Sequence, residues 1–247
     1  IKTLLLMGLM LGGSFVQAAE ETSCEKQWND HYENLPDSEH DPNDSLIKFL
    51  LIEDCENDYK LMIERANEMR IYTAMDAYAA GDYATAYKEF KILAEQGDAT
   101  AQFSLGMMHN NGEGVAQDYK EAMKWCRLAA EQGHTKAQHN IGWMYYIGEG
   151  VAQDYKEAMK WFRLAAEQGT EEAVRSQNNL GWMYDQGLGV IQDNVIAHMW
   201  YNIAVSSGDE TAKNNKDLLA NKMTSEQLAK AQKLTRECVK RNYKDCG

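Results

Sequence analysis

The sequence predicts an all-α solenoid, a row of helix–turn–helix units stacked side by side. Three observations lead there. Residues 98–133 and 134–169 align without a gap over 36 positions, and Gly112–Gly133 repeats as Gly148–Gly169 with one difference, Cys126 against Phe162. Within each copy the apolar spacing is helical: Ala101, Leu105 and Met108 mark one face, and Ala122, Trp125 and Ala129 mark another. A single helical hairpin cannot bury both faces, so the copies must stack on one another. Only 2 prolines among 247 residues also speak against a disordered chain.

From the N-terminus, residues 1–18 read as a signal peptide: Lys2, an apolar run from Leu4 to Leu11, then Val16-Gln17-Ala18 as a small-x-small cleavage site. That run is too short to cross a bilayer, which needs about 20 apolar residues. The mature protein is therefore expected to be exported, periplasmic or secreted, with no transmembrane segment. An acidic segment and helical cap follow over 19–71, and a shorter degenerate repeat over 72–97. Full copies are expected at 98–133, 134–169 and 170–208; the last is three residues longer, with the extra residues between Gly169 and Asn179. Residues 209–247 form a basic helical cap.

In each full copy Gly112-x-Gly114 or its equivalent supplies the positive φ and close approach that a tight interhelical turn needs. Asp118 and Asp154, each followed three residues on by Glu121 or Glu157, read as N-caps with capping-box partners. Trp125, Trp161 and Trp200 hold equivalent second-helix positions and are expected between helices. Export permits disulfides, and the pairs Cys24–Cys55 and Cys238–Cys246 each bracket an end segment with little core of its own. Cys126 stands alone in a repeat and reads as a buried reduced thiol.

The pattern Ala-x-x-x-Leu-Gly-x-x-Tyr, Gly-x-Gly-Val, an Asp opening the second helix, then Ala, Trp and Ala-Ala resembles the Sel-one-like repeat family of the tetratricopeptide superfamily. The resemblance is densest over 98–208; His109 stands where the pattern has Tyr. It implies a right-handed superhelix and a non-catalytic scaffold that takes a protein or peptide partner in its concave groove; a monomer is expected. In such hairpins the first helix lines that groove. Aligning Leu105, Ile141 and Leu180, the groove positions are Phe103, His139 and Asn178, then Met107, Trp143 and Trp182, then Asn110, Tyr146 and Asp185. Trp143 and Trp182 have a competing reading as extra core between first helices.

The composition weakens other functions. Asp plus Glu is 38 against 25 Lys plus Arg, a net charge of -13 that repels nucleic-acid phosphates. From Lys213 onward nine Lys/Arg outnumber four Asp/Glu, which suits the outer face of a capping helix. A cysteine-rich secreted branch of the family is associated with cell-wall fragments and β-lactams, so binding or hydrolysis of these is the alternative function. Its support is thin: Ser23/Lys26 and Ser45/Lys48 match Ser-x-x-Lys, but no Ser-Asp-Asn or Lys-Thr-Gly element joins them. His31, Asp37, Glu39, His40, Asp41 and Asp44 crowd one acidic stretch that lacks the spacing of a metal loop. No metal and no cofactor is expected.

Overall fold

The architecture comes from a computed structural model that describes the backbone of residues 59–246 and the side chains from residue 67. The signal peptide, the Cys24–Cys55 pair, the acidic stretch and both Ser-x-x-Lys matches lie outside the described residues. The chain divides into two units, Ile1–Met69 and Arg70–Gly247, and the second holds the repeats.

Among the described residues, apart from one 3-10 turn, the regular elements are helices: α1 (Tyr59–Ala79), α2 (Tyr83–Glu95), α3 (Ala99–Asn111), α4 (Tyr119–Glu131), α5 (Thr135–Ile147), α6 (Tyr155–Ala166), α7 (Val174–Gln186), α8 (Asn194–Ser206), α9 (Glu210–Ala220) and α10 (Ser225–Lys240). The 3-10 turn, Glu171–Ala173, falls where the third copy carries its extra residues. Each helix from α2 to α8 packs on the next, and α10 lies mainly against α8.

The helix starts follow from their caps. Asp118 Oδ1 accepts from the backbone N–H of Lys120 and Glu121, Asp154 from Lys156 and Glu157, and Asp193 from Val195 and Ile196. The expected capping boxes are only half built: Glu121 and Glu157 turn to Lys124 and Lys160, three residues on, instead of back to the cap. A lysine three residues on competes for each carboxylate, and a complete box forms at Thr224 and Gln227, whose neutral amide makes no ion pair with Lys230. Each first helix ends on a left-handed glycine; the second glycine of Gly-x-Gly touches the start of the preceding second helix. A Cβ on Gly189 would lie 2.6 Å from the Tyr155 carbonyl. That contact fixes how closely one repeat follows another.

Mid-helix glycines set the packing within a pair. A Cβ on Gly142 would meet the Phe162 ring at 2.7 Å, and one on Gly181 would meet Tyr201 at 2.5 Å. Between pairs, a glutamine carries the connection. Gln102 Nε2 donates to the Ala94 carbonyl at 3.1 Å, Gln138 to Ala130 at 3.1 Å and Gln177 to Ala166 at 3.2 Å. Each of those helix-end carbonyls also accepts from the backbone N–H of the following turn glycine, Gly97, Gly133 or Gly169, so the glutamine supplies its second bond. Gln132 and Gln168 add a second rung, donating to Gln102 Oε1 and Gln138 Oε1, both at 2.8 Å. Ser207 takes the equivalent place in the third copy, and the buried Gln177 Oε1 has no partner among the described residues.

Of the three equivalent tryptophans only Trp200 is fully buried. Trp125 and Trp161 are half-buried, lying along the edges of neighbouring clusters, because only α8 carries a further helix, α10, on its outer side. Ile203 is buried there, while the equivalent Leu128 and Leu164 stay exposed. Below the stack, Arg70 and Glu89 form a buried ion pair at 2.9 Å.

The Cys238–Cys246 bridge forms, with its Cα atoms 5.3 Å apart, and Cys126 is free and buried. The closed loop turns through left-handed Asn242, Tyr243 and Asp245. It seats Tyr243 on Gly169 and receives a hydrogen bond from Arg163 to the Cys246 carbonyl at 3.0 Å. The bridge thus ties the chain end to the end of α6.

Two outcomes are expected. Gln138→Leu removes two hydrogen bonds, to the Ala130 carbonyl and from Gln168 Nε2, and should cost about 1–3 kcal/mol in urea melts, more than Gln177→Leu, which breaks only one. Cys246→Ser should cost ~2–3 kcal/mol through the short loop the bridge closes; an unchanged urea midpoint would show that the tail contributes no stability.

Candidate functional site

The first helices α3, α5 and α7 lie side by side and, with α9, present a row of clefts on one face. Cross-links between them are direct: Asn140 Nδ2 donates to Met107 Sδ at 2.7 Å, Trp182 Nε1 to the Tyr146 hydroxyl at 3.2 Å, and Asn215 Nδ2 to Asn178 Oδ1 at 3.2 Å. The nine residues expected to line a groove separate into two groups.

Phe103 and His139 are engaged in packing. Phe103 stacks on His134 with centroids 4.8 Å apart; His139 leans on Phe162 at 5.4 Å and shares a hydrogen bond of 2.8 Å with Ser176 Oγ. Asn178 is half-buried and joined to Asn215. The other positions open outward. Trp143 is 44% exposed and Trp182 39%, so neither is extra core. Tyr146 stacks on Trp143 at 5.4 Å and, through its bond to Trp182, braces the two indoles. Met107, Asn110 and Asp185 are half-buried on the same face.

Two clefts repeat along this face with the same construction. One, of about 130 Å³, lies between the first two full repeats, with Met107, Asn110, Cys126, Asn140, Trp143 and Glu149 around it. The next, of about 250 Å³, has Trp143, Tyr146, Phe162, Asn179, Trp182 and Asn215 in its lining. Met107 and Trp143, Cys126 and Phe162, Asn140 and Asn179, and Trp143 and Trp182 hold equivalent places in the two. A third, more polar cleft continues past Trp143 to Arg175, Asp209 and Thr211.

Burial sets the electrostatics of this face. Burial pushes the Cys126 thiol up to about 12, so it stays protonated. Burial, with the Arg175 charge as the lesser cause, lowers His139 to about 4 and keeps it neutral. Burial also lowers His109, His134 and His198. Glu149 and Asp185 have no ion-pair or hydrogen-bond partner for their carboxylates among the described residues. No group of three or more His, Cys, Asp or Glu among those residues could hold a metal ion.

Three consecutive segments, residues 99–134, 135–170 and 174–209, match the Sel1 repeat. The chain belongs to the Sel1 repeat family. A Sel1 repeat protein from Oxalobacter formigenes is 40% identical over 52% of this chain and 95% of its own length, with a TM-score of 0.48. A protective antigen of uropathogenic Escherichia coli with an SLR fold is 31% identical over 79% of this chain, with a TM-score of 0.58. The present chain spans 43% of that antigen's length. Among curated proteins none matches this Sel1 repeat chain.

Sequence reasoning missed Asn140, Asn179, Asn215, Arg175 and Glu149 as lining residues. Asn140 and Asn179 were within reach: each immediately precedes the aligned apolar residue, Ile141 or Leu180, and their shared amide is an unusual choice for a helix. Asn215 and Arg175 were not, because they come from α9 and from the irregular start of α7.

The lowered His139 pKa sets a pH dependence with a defined sign. The unfolded chain takes up its proton near pH 6.5 and the folded chain only near pH 4, so this stabilisation is complete above the higher value and is lost as pH falls toward the lower. His139→Gln should flatten the stability curve between those limits by up to ~3 kcal/mol in chemical melts. An identical slope for wild type and variant would remove His139 from the acid response.

Proposed function

We propose that this Sel1 repeat protein is an exported, non-catalytic interaction scaffold that receives an extended partner segment along its first-helix face. The observation that carries the reading is the run of clefts at successive repeat junctions with half-exposed Trp143 and Trp182 braced by Tyr146. Trp and Tyr dominate binding hot spots because they bury much area at little entropic cost. Here they are also pre-ordered by stacking and hydrogen bonding, which reduces the cost of binding.

Export is supported by the signal-like residues 1–18 and by the Cys238–Cys246 bridge, which belongs to an oxidising compartment. No helix among the described residues is long and apolar enough to cross a membrane. The protective-antigen role of the similar Escherichia coli protein accords with an exported location. A scaffold is favoured over a hydrolase because the groove holds no activated nucleophile: its one thiol is buried and protonated, and its histidine is neutral and turned to Ser176.

Trp143→Ala combined with Trp182→Ala should leave the helical signal and a cooperative melt intact, since both side chains are half-exposed. Crosslinked capture of an envelope protein should fall about thirtyfold or more, the effect of losing at least 2 kcal/mol of hot-spot contact. Full capture by the folded double variant would end the groove reading.

A further inference from the structure

The two matching clefts repeat at the step of the stack, and that step has a consequence for the occupant. Adjacent packed helices sit about 8–10 Å apart. A polyproline-II segment rises about 3.1 Å per residue with three residues per turn, so it returns the same face every ~9.3 Å. An ideal β-strand returns the same face every ~6.6 or ~13 Å, out of step with the clefts. Building on the proposed groove, we infer that its occupant is a basic peptide segment in the polyproline-II conformation, with apolar side chains at i and i+3 entering the two clefts.

The linings fit this occupant. Aromatic-walled grooves are the usual receptors for polyproline-II segments, whose preformed backbone binds with little entropic loss. Trp143 lines both clefts; Tyr146 stacks on one face of its indole, and the rest is open to a ring or aliphatic side chain. Asn140 and Asn179 sit at matching places, one amide per cleft. A polyproline-II backbone has no internal hydrogen bonds, so its carbonyls are free to accept from such amides.

The clefts are not equal in depth. Phe90, Phe162 and Tyr201 occupy the equivalent place on α2, α6 and α8, and Cys126 occupies it on α4. All four are buried, but only the cysteine lacks a ring. Its cleft therefore reaches down to Ala122 and Cys126 and takes a branched or thioether side chain. The neighbouring cleft, with an aromatic floor and three aromatic walls, takes a flat ring such as proline's.

Charge sets the sign of the flanking residues. Glu149 borders the first cleft and Asp185 lies one turn beyond Trp182, both carboxylates unpaired among the described residues. The chain as a whole carries -13. An Arg or Lys on either side of the anchors gains both attraction to these carboxylates and contact with an indole face.

The test uses the full mature chain and labelled synthetic peptides on a polyproline scaffold. One peptide has Leu at i and Pro at i+3 between flanking arginines; others move the Leu to give an i, i+2 or i, i+4 spacing, or replace Arg by Glu. The expected result is about tenfold tighter binding for the i, i+3 arginine peptide than for either respaced peptide or the glutamate version. Cys126→Phe copies the residue of the other stacked helices and should fold normally. In that variant Leu→Ala in the peptide should no longer weaken binding. Glu149→Gln with Asp185→Asn should erase the preference for Arg.

Equal binding of all spacings, or equal binding of Arg and Glu peptides, would overturn the inference while leaving the groove reading intact if Trp143→Ala still abolishes binding. No binding by any peptide would overturn both. Saturable binding of a chito-oligosaccharide or muropeptide at the same tryptophans, with the peptides silent, would assign the groove to cell-wall glycan instead and also overturn it.

Discussion

The last turn of a helix leaves carbonyls short of donors, and in this chain the next repeat adds a side-chain amide to the turn N–H that each already receives. Gln102, Gln138 and Gln177 each reach back to the end of the preceding second helix, to Ala94, Ala130 and Ala166. A buried glutamine amide left unpaired costs more than most single contacts contribute, so this bond is obligatory once the junction is dry. It also has direction: the amide must come from the first turn of the following helix. Together with the second glycine of each Gly-x-Gly turn, pressed against the preceding second helix, it fixes the repeat step. The regular spacing of everything along the first-helix face follows from that step.

The third junction shows what happens when a member is missing. Ser207 stands where Gln132 and Gln168 stand in the earlier copies, and the second rung is lost. The 3-10 turn at Glu171–Ala173 occupies the same neighbourhood. The disulfide-closed tail reaches this region from the other side, with Tyr243 on Gly169 and Arg163 bonded to the Cys246 carbonyl. The covalent closure thus lies beside the least hydrogen-bonded junction, where a repeat array is most prone to local opening.

A site made by stacking differs from a catalytic pocket in its chemistry. Its side chains come from equivalent positions on successive helices, so it offers periodic contacts and few convergent ones. Here the periodic set is indole, phenol, amide and carboxylate, with histidine and cysteine kept neutral by burial. Such a surface selects by spacing and charge sign.

The sequence by itself determined the helical class, the repeat boundaries implied by near-identical copies, the N-cap aspartates, the Cys238–Cys246 pair and the aromatic stripe at Trp143, Tyr146 and Trp182. These are legible because each depends on residues near in sequence or on comparison of one copy with another. The tertiary structure alone decided that Phe103 and His139 serve packing while Trp143 and Trp182 face outward. All four share the same helical faces, and only the position of the neighbouring repeat separates them. It also decided that Trp200 is buried while Trp125 and Trp161 are not, since burial there depends on α10, a helix outside the repeat pattern. The glutamine rungs and the asparagine linings were present in the aligned copies, except where Ser207 replaces Gln132 and Gln168, but had no meaning until the carbonyls and clefts they meet were placed. A polar side chain inside a helix reveals its role only when its partner, some thirty residues away, is brought within 3 Å.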